Sequence, residues 1–155
     1  MKPIKSERGQ SLVELGISLL ILLYLLAGAV EFGIVFFQFV QLRDAAQEGA
    51  LYGSMSPVSS SWPIIENRAR SASNSPINLA DTAIVAVSIF VDNTLVWKNG
   101  AVQGSTTVAC EGHEIKVIVD FQHQIFMPFI PQILNRTHIP LQATVADTIL
   151  TPVCP

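Results

Sequence analysis

The sequence predicts an α+β fold: a long N-terminal transmembrane α-helix followed by a small antiparallel β-sheet domain with a short helix. Three observations predict it. Leu12 to Val40 is an apolar run in which charge appears only at Glu14 and Glu31. That run exceeds the roughly 20 residues that one bilayer crossing needs. Beyond residue 80 the apolar residues alternate with a period of two, and an Asn-Gly pair marks a hairpin turn.

Length and composition bound the remainder. The 155 residues leave room for one membrane segment and one domain of about 80–100 residues. Half of the residues are hydrophobic and only 14% are charged, and the first forty hold most of that excess. Net charge is −3 and no basic run follows the first eight residues, so nothing points to nucleic acid as a partner.

The helix comes first in chain order. Counted from Leu12, a bilayer crossing ends near Glu31, which places that carboxylate at the far interface. Phe32 to Leu42 continues as helix out of the membrane and is apolar enough to need a cover. Arg43-Asp44-Ala45-Ala46-Gln47-Glu48 favours helix, and the stretch from Gly53 to Pro57 stops it. The expected organisation is a leader over residues 1–9, a helix over 10–53 with its membrane segment at about 12–31, and an extracytoplasmic α+β domain over 54–155. The helix is on the order of 65 Å long at 1.5 Å per residue, more than an anchor requires. Lys2, Lys5 and Arg8 precede the apolar segment, whereas Arg43 follows it beside Asp44 and Glu48. The positive-inside rule therefore puts the N-terminus in the cytoplasm and the remainder outside.

Glu14 is the costly residue in this segment. A carboxylate at a helix centre is charged roughly 2.5–3.5 kcal/mol on insertion scales, and less near an interface. A small residue, Gly9, stands just upstream behind three basic residues. Cleavage after Gly9 would make Gln10 the amino terminus and Glu14 the fifth residue, near enough for ammonium and carboxylate to pair. Two other outcomes fit the same residues. One is a signal peptide cut at Ala27-Gly28-Ala29, although Glu14 spoils the start of its hydrophobic region. The other is an uncleaved anchor. Gly16, Gly28, Ala29 and Gly33 are small enough to let helices approach closely in lipid, and Ala29 and Gly33 form an i, i+4 pair. A lipid-facing helix of ordinary glycine content is the plain alternative.

Three motifs in this order resemble the TadE-like minor pilins, or pseudopilins, of tight-adherence (Flp-type) pilus systems. Arg8-Gly9-Gln10-Ser11-Leu12-Val13-Glu14 resembles the basic-glycine processing site with glutamate at the fifth mature position. Gly28-Ala29-Val30-Glu31-Phe32-Gly33 resembles the second acidic motif late in the helix. Ala45-Ala46-Gln47-Glu48-Gly49-Ala50-Leu51-Tyr52-Gly53 resembles the Ala-x-x-Gly-Ala-x-Tyr ending. Together they cover residues 8–53. Gln10 departs from the small residue that many relatives carry there, and its cyclisation would remove the ammonium that Glu14 pairs with. The resemblance implies a prepilin peptidase cutting after Gly9, release from the cytoplasmic membrane, and assembly with other pilin or pseudopilin subunits or at the pilus base. It makes Gly9, Gln10 and Glu14 the processing site. Glu14, Gly28, Ala29, Glu31 and Gly33 become the helix-assembly residues.

The exported part follows. Ser61 caps a short helix with Pro63 in its first turn, and Ser71 to Pro76 is a loop. Asp81 to Asp92 alternates, with Val85, Val87, Ile89 and Val91 on one face. Thr94 to Trp97 and Ala101 to Gln103 form a hairpin around Lys98-Asn99-Gly100. Glu114 to Gln122 alternates again, with Ile115, Val117, Val119 and Phe121 on one face. Leu141 to Leu150 is a last strand. The Phe126 to Ile130 run is strongly apolar for an exported segment. It is expected to pack on the domain core or the helix extension, with a subunit contact as the alternative. Cys110 and Cys154 suit a disulfide if the domain is exported, worth about 4 kcal/mol on the loop-entropy scale.

Enzyme classes find no support. His113, His123 and His138 have no metal-ligand spacing, and on alternating strands and loops they are expected at the surface. No nucleophile elbow, phosphate-binding glycine loop or cysteine–histidine pairing is present. The expected protein is non-enzymatic, without cofactor, metal or small-molecule substrate. A single-pass membrane protein whose β domain binds a partner is the alternative function.

Overall fold

A computed structural model describes residues 8–56, 61–103, 109–128, 130–151 and 153, apart from the side chains of Arg8 and Ile133. Helix α1 spans Arg8–Met55, 48 residues without a break, or about 72 Å at 1.5 Å per residue. Its N-terminal half is apolar on all sides. Its most apolar stretch of 18 residues has a mean hydropathy of 2.4, none of it is buried, and the helix is long and apolar enough to cross a membrane.

The C-terminal half of α1 is a core element. Leu42, Ala45, Ala46 and Ala50 are buried, three or four residues apart as one helical face requires. Gly49 and Gly53 continue that face. A Cβ on Gly49 would stand 3.2 Å from Ala69 Cβ and 3.3 Å from Val117 Cγ1, and one on Gly53 would stand 2.4 Å from Ile115 Cδ1. The Ala/Gly-rich ending of α1 is thus where two layers close on the helix. Its last carbonyls, which no intrahelical donor can reach, are met from the far end of the chain. Leu150 N donates to Ser54 O at 2.8 Å, and Thr151 Oγ1 donates to Met55 O at 2.8 Å.

Helix α2 spans Trp62–Ser71, with a proline in its first turn. Ser61 stands at its N-cap position as expected, but its backbone is helical and its side chain makes no capping bond. The five strands are β1 (Val85–Val91), β2 (Thr94–Lys98), β3 (Ala101–Val102), β4 (Glu114–Gln124) and β5 (His138–Thr148), with a short α3 (Ile130–Leu134) before β5. They form one sheet in the order β3-β2-β1-β4-β5, and every pairing is antiparallel. The alternation in β1 and β4 is the core pattern: Val85, Val87, Ile89 and Val91 are buried with Ile115, Val117 and Val119. The architecture is α+β, as the alternating strands and long helix lead one to expect.

Element limits shift for local reasons. The strand expected from Asp81 begins at Val85 because Asp81 folds a turn: its Oδ1 accepts from Ala83 N at 2.9 Å and its carbonyl from Val85 N at 3.0 Å. The β2–β3 hairpin turns at Asn99 and Gly100, both at positive φ (42° and 82°), as an Asn-Gly turn of the primed type requires. A second turn of this kind, which the sequence reading lacks, joins β1 to β2 at Asp92 and Asn93 (φ 46° and 64°). Strand β5 starts three residues before the expected Leu141, because β4 runs on to Gln124 and pairs it with His138.

One buried polar cluster pins α2 to the hairpin. Arg70 Nε donates to Glu66 Oε1 at 2.7 Å and its Nη1 to Leu79 O at 2.8 Å. Glu66 Oε2 accepts from Trp97 Nε1 at 2.5 Å and from Gly100 N at 2.8 Å. A buried ion pair leaves no charge stranded only when its remaining valences are met in this way.

Candidate functional site

Along α1, the residues that face the domain continue below the core. Tyr24, Gly28, Glu31 and Val35 are the partly covered positions in the apolar half, and Gln38 is buried. Their spacing of four, three, four and three residues keeps them on one stripe. What covers them is the connection between β4 and β5. Strand β4 runs antiparallel to α1, from Ile115 beside Gly53 to His123 beside Glu31. The β4–β5 connection is therefore the tip of the domain nearest the apolar half of the helix.

Glu31 is held at this tip. Its Oε1 accepts from His123 Nε2 at 2.9 Å and from Phe126 N at 3.1 Å. The side chain of His123 is 1% exposed and that of Glu31 is 13% exposed, so water competes little for either group. The imidazole also meets the Phe126 ring edge-on, with centroids 5.9 Å apart. Two further contacts follow down the stripe. Met127 Cε and Sδ lie 3.9 Å from the position a Cβ on Gly28 would take, and Tyr24 Oη donates to Pro128 O at 3.0 Å. A carboxylate in an apolar helix, a histidine on a strand and a proline-marked loop thus form one interlock across 92 residues of sequence.

His123 corrects an expectation. The histidines are expected at the surface, and His113 and His138 are exposed or partly so, but His123 is fully buried. It extends the inward face of β4 by one more alternation, after Ile115, Val117, Val119 and Phe121. Carrying the period of two past Gln122 would have found it.

The expected helix-assembly residues divide between two faces. Gly28 and Glu31 turn toward the chain's own domain, whereas Glu14, Ala29 and Gly33 are exposed. At Gly9, Gly16 and Gly33 an added Cβ would meet nothing within 4 Å. Glu14 Oε1 accepts from Gln10 Nε2 at 3.3 Å, so residues 10 and 14 share one helical face. Phe32 and Phe36 stack on the outer side, with centroids 6.4 Å apart. Cys110 is buried, but Cys154 lies outside the described residues, as does the leader up to Glu7.

Among the described residues no group of three or more His, Cys, Asp or Glu side chains could hold a metal ion. A clear electrostatic shift among the described residues lies away from α1's apolar half. At the β1–β2 turn the Asp92 carboxyl is held below its ordinary value, first by the hydrogen bond from His113 and next by the backbone N–H of Glu114.

The helix side of the interlock and the apolar half of α1 both lie in the segment that a family comparison matches. No curated protein and no solved structure matches the chain. The family model for TadE-like protein matches residues 9–51, from the glycine before Gln10 to the last turns of α1. Over those residues the helix that carries Glu14, Glu31 and the Ala/Gly-rich ending is similar to the TadE-like family.

Proposed function

We propose that this protein is a non-enzymatic minor pilin or pseudopilin, processed after Gly9 and assembled through its N-terminal helix into a tight-adherence pilus or its base. One observation carries the reading: outside the stripe at Tyr24, Gly28, Glu31 and Val35 the described apolar half of α1 is exposed, yet it lies within the segment that matches the family. Such a surface needs lipid before assembly and neighbouring helices after it. Ala29 and Gly33 offer a close approach on the open side. Glu14, one turn after Gln10, is placed to neutralise a new terminal ammonium or to fix register with a neighbour. The basic residues Lys2, Lys5 and Arg8 hold the leader in the cytoplasm, where a prepilin peptidase works at the membrane face. The domain lies outside, with Cys110 and Cys154 joined as a disulfide in that oxidising space.

The test is the intact mass and N-terminal sequence of the protein from membranes of cells that contain the native processing machinery. A chain starting at Gln10, free or cyclised, with its two cysteines oxidised, is the expected result. Gly9→Leu blocks processing without touching the fold, because the space around Gly9 is open. Glu14→Ala leaves membrane insertion intact and impairs assembly. A chain still starting at Met1 would leave an anchored protein whose β domain binds a partner, and one starting at Val30 would make the helix a discarded signal.

A further inference from the structure

We infer that the tip of the domain, Phe126 to Pro128 with α3 (Ile130–Leu134), is itself a membrane-binding element that dips into the outer leaflet beside α1. The inference rests on α1 crossing the membrane at about Leu12–Glu31.

The first ground is depth. Tyr24 lies seven residues before Glu31, about 10 Å along the helix axis. Because Tyr24 binds the Pro128 carbonyl and Met127 lies against Gly28, the loop sits below the level of Glu31. A hydrocarbon layer of about 30 Å needs the helix from Leu12 to Glu31, and interfacial elements bury to about 5–10 Å. At the same level the rest of α1 is bare: Leu25 and Leu26 are 67% and 62% exposed. Lipid surrounding those side chains also surrounds the loop.

The second ground is composition. From Phe126 to Leu134 the only polar side chain is Gln132, and Phe126 and Leu134 are 68% and 53% exposed. Such side chains on a domain tip leave most of their surface open and stand where acyl chains are.

The third ground is the backbone. Irregular backbone is tolerated at membrane depth where protein covers its polar groups, and several of those at the tip are covered. Pro128 and Pro131 have no N–H to satisfy. The Ile125 N–H goes to Thr137 O at 3.0 Å and the Arg136 N–H to Pro131 O at 3.2 Å. The Phe126 N–H goes to Glu31, and the Pro128 carbonyl is met by Tyr24. Beside the loop, an open groove of about 540 Å³ sets Arg136 and His138 next to Ile125, Leu134 and Ile139. Acyl carbons fit its floor, and the Arg136 guanidinium is where a lipid phosphate would lie.

The experiment uses the full chain reconstituted in mixed phosphatidylethanolamine and phosphatidylglycerol vesicles carrying brominated acyl chains, which quench tryptophan on contact. Phe126→Trp reports the tip, Leu20→Trp the membrane helix, and Val102→Trp the distant exposed β3. The expected result is that bromolipid removes most of the added emission of Phe126→Trp and Leu20→Trp and leaves that of Val102→Trp. Quenching of Leu20→Trp without Phe126→Trp overturns the inference and leaves the membrane helix standing. Quenching of neither overturns the membrane reading and the inference with it. A Phe126→Trp signal shielded from aqueous acrylamide yet untouched by bromolipid assigns the tip to a second copy of the chain and likewise overturns the proposal.

Discussion

Replacing Glu31 by alanine removes one oxygen that serves two donors, His123 Nε2 and Phe126 N. The cost follows from what each donor then meets. The His123 side chain is 1% exposed and keeps no water, so its stranded N–H costs about 1–3 kcal/mol. The Phe126 N–H gives up one hydrogen bond, a net loss nearer 1 kcal/mol. Glu31→Ala should therefore destabilise by about 2–4 kcal/mol. Glu31→Gln retains an acceptor oxygen and gives up only the charge-assisted part, so it should cost roughly half as much. Paired with His123→Ala, Glu31→Ala should show a coupling of about 1–3 kcal/mol, as residues in direct contact do. Urea unfolding in mild detergent measures this through Trp62 and Trp97, which are 4% and 7% exposed and brighten or dim as the domain opens. Equal midpoints for the alanine and glutamine variants, or strict additivity with His123→Ala, would refute the interlock.

Two further outcomes are expected from the same measurement. Gly53→Ala forces a methyl against Ile115 Cδ1 at 2.4 Å, and Ile115 is fully buried. Overpacking of about 1–3 kcal/mol outweighs the roughly 1 kcal/mol gained from a better helix former, so the urea midpoint falls. Gly16→Ala, with nothing within 4 Å, should leave the midpoint unchanged or raise it. The Asp92 carboxyl is lowered from 3.8 in the folded protein, so its contribution is complete above that pH and is lost as pH falls through the folded value. Unfolding midpoints of Asp92→Asn should therefore show a flatter acid limb below about pH 4 than the parent protein. The difference is small, because Asp92 and His113 are both well exposed. A steeper limb in the variant would reverse the assigned direction.

The sequence carries the fold far more openly than the site. Alternation at Val85–Val91 and Ile115–Phe121 is a local pattern, and so is the Asn99-Gly100 turn. Each is written within a few residues and survives into the sheet. The membrane segment is equally legible, because a bilayer imposes length and apolarity on contiguous residues. Glu31 with His123 is of another kind. Neither residue advertises the other, and only the antiparallel run of β4 along α1 brings them together. Half-signals existed on both sides. The stripe Tyr24, Gly28, Glu31, Val35 and Gln38 has a helical spacing that marks a covered face, and His123 has the parity of the buried residues of β4. Joining them requires the topology. The short α3 was obscured by the prolines around it, which break the usual helix pattern.

The unbroken course of α1 has a mechanical consequence. Its upper half is cemented to α2 and the sheet at Gly49 and Gly53, and Glu31 fastens the lower tip, so the domain cannot swivel about the helix. Whatever turns the helix turns the domain. A shift of one residue in how Leu12–Leu23 seats against a neighbour advances the subunit by about 1.5 Å and rotates the matching face by about 100°. The domain would swing through the same angle around the helix axis. In the proposed assembly, the azimuth at which each β-sheet is displayed is thus dictated by the side-chain register of the apolar half, and α1 works as a driveshaft between the two.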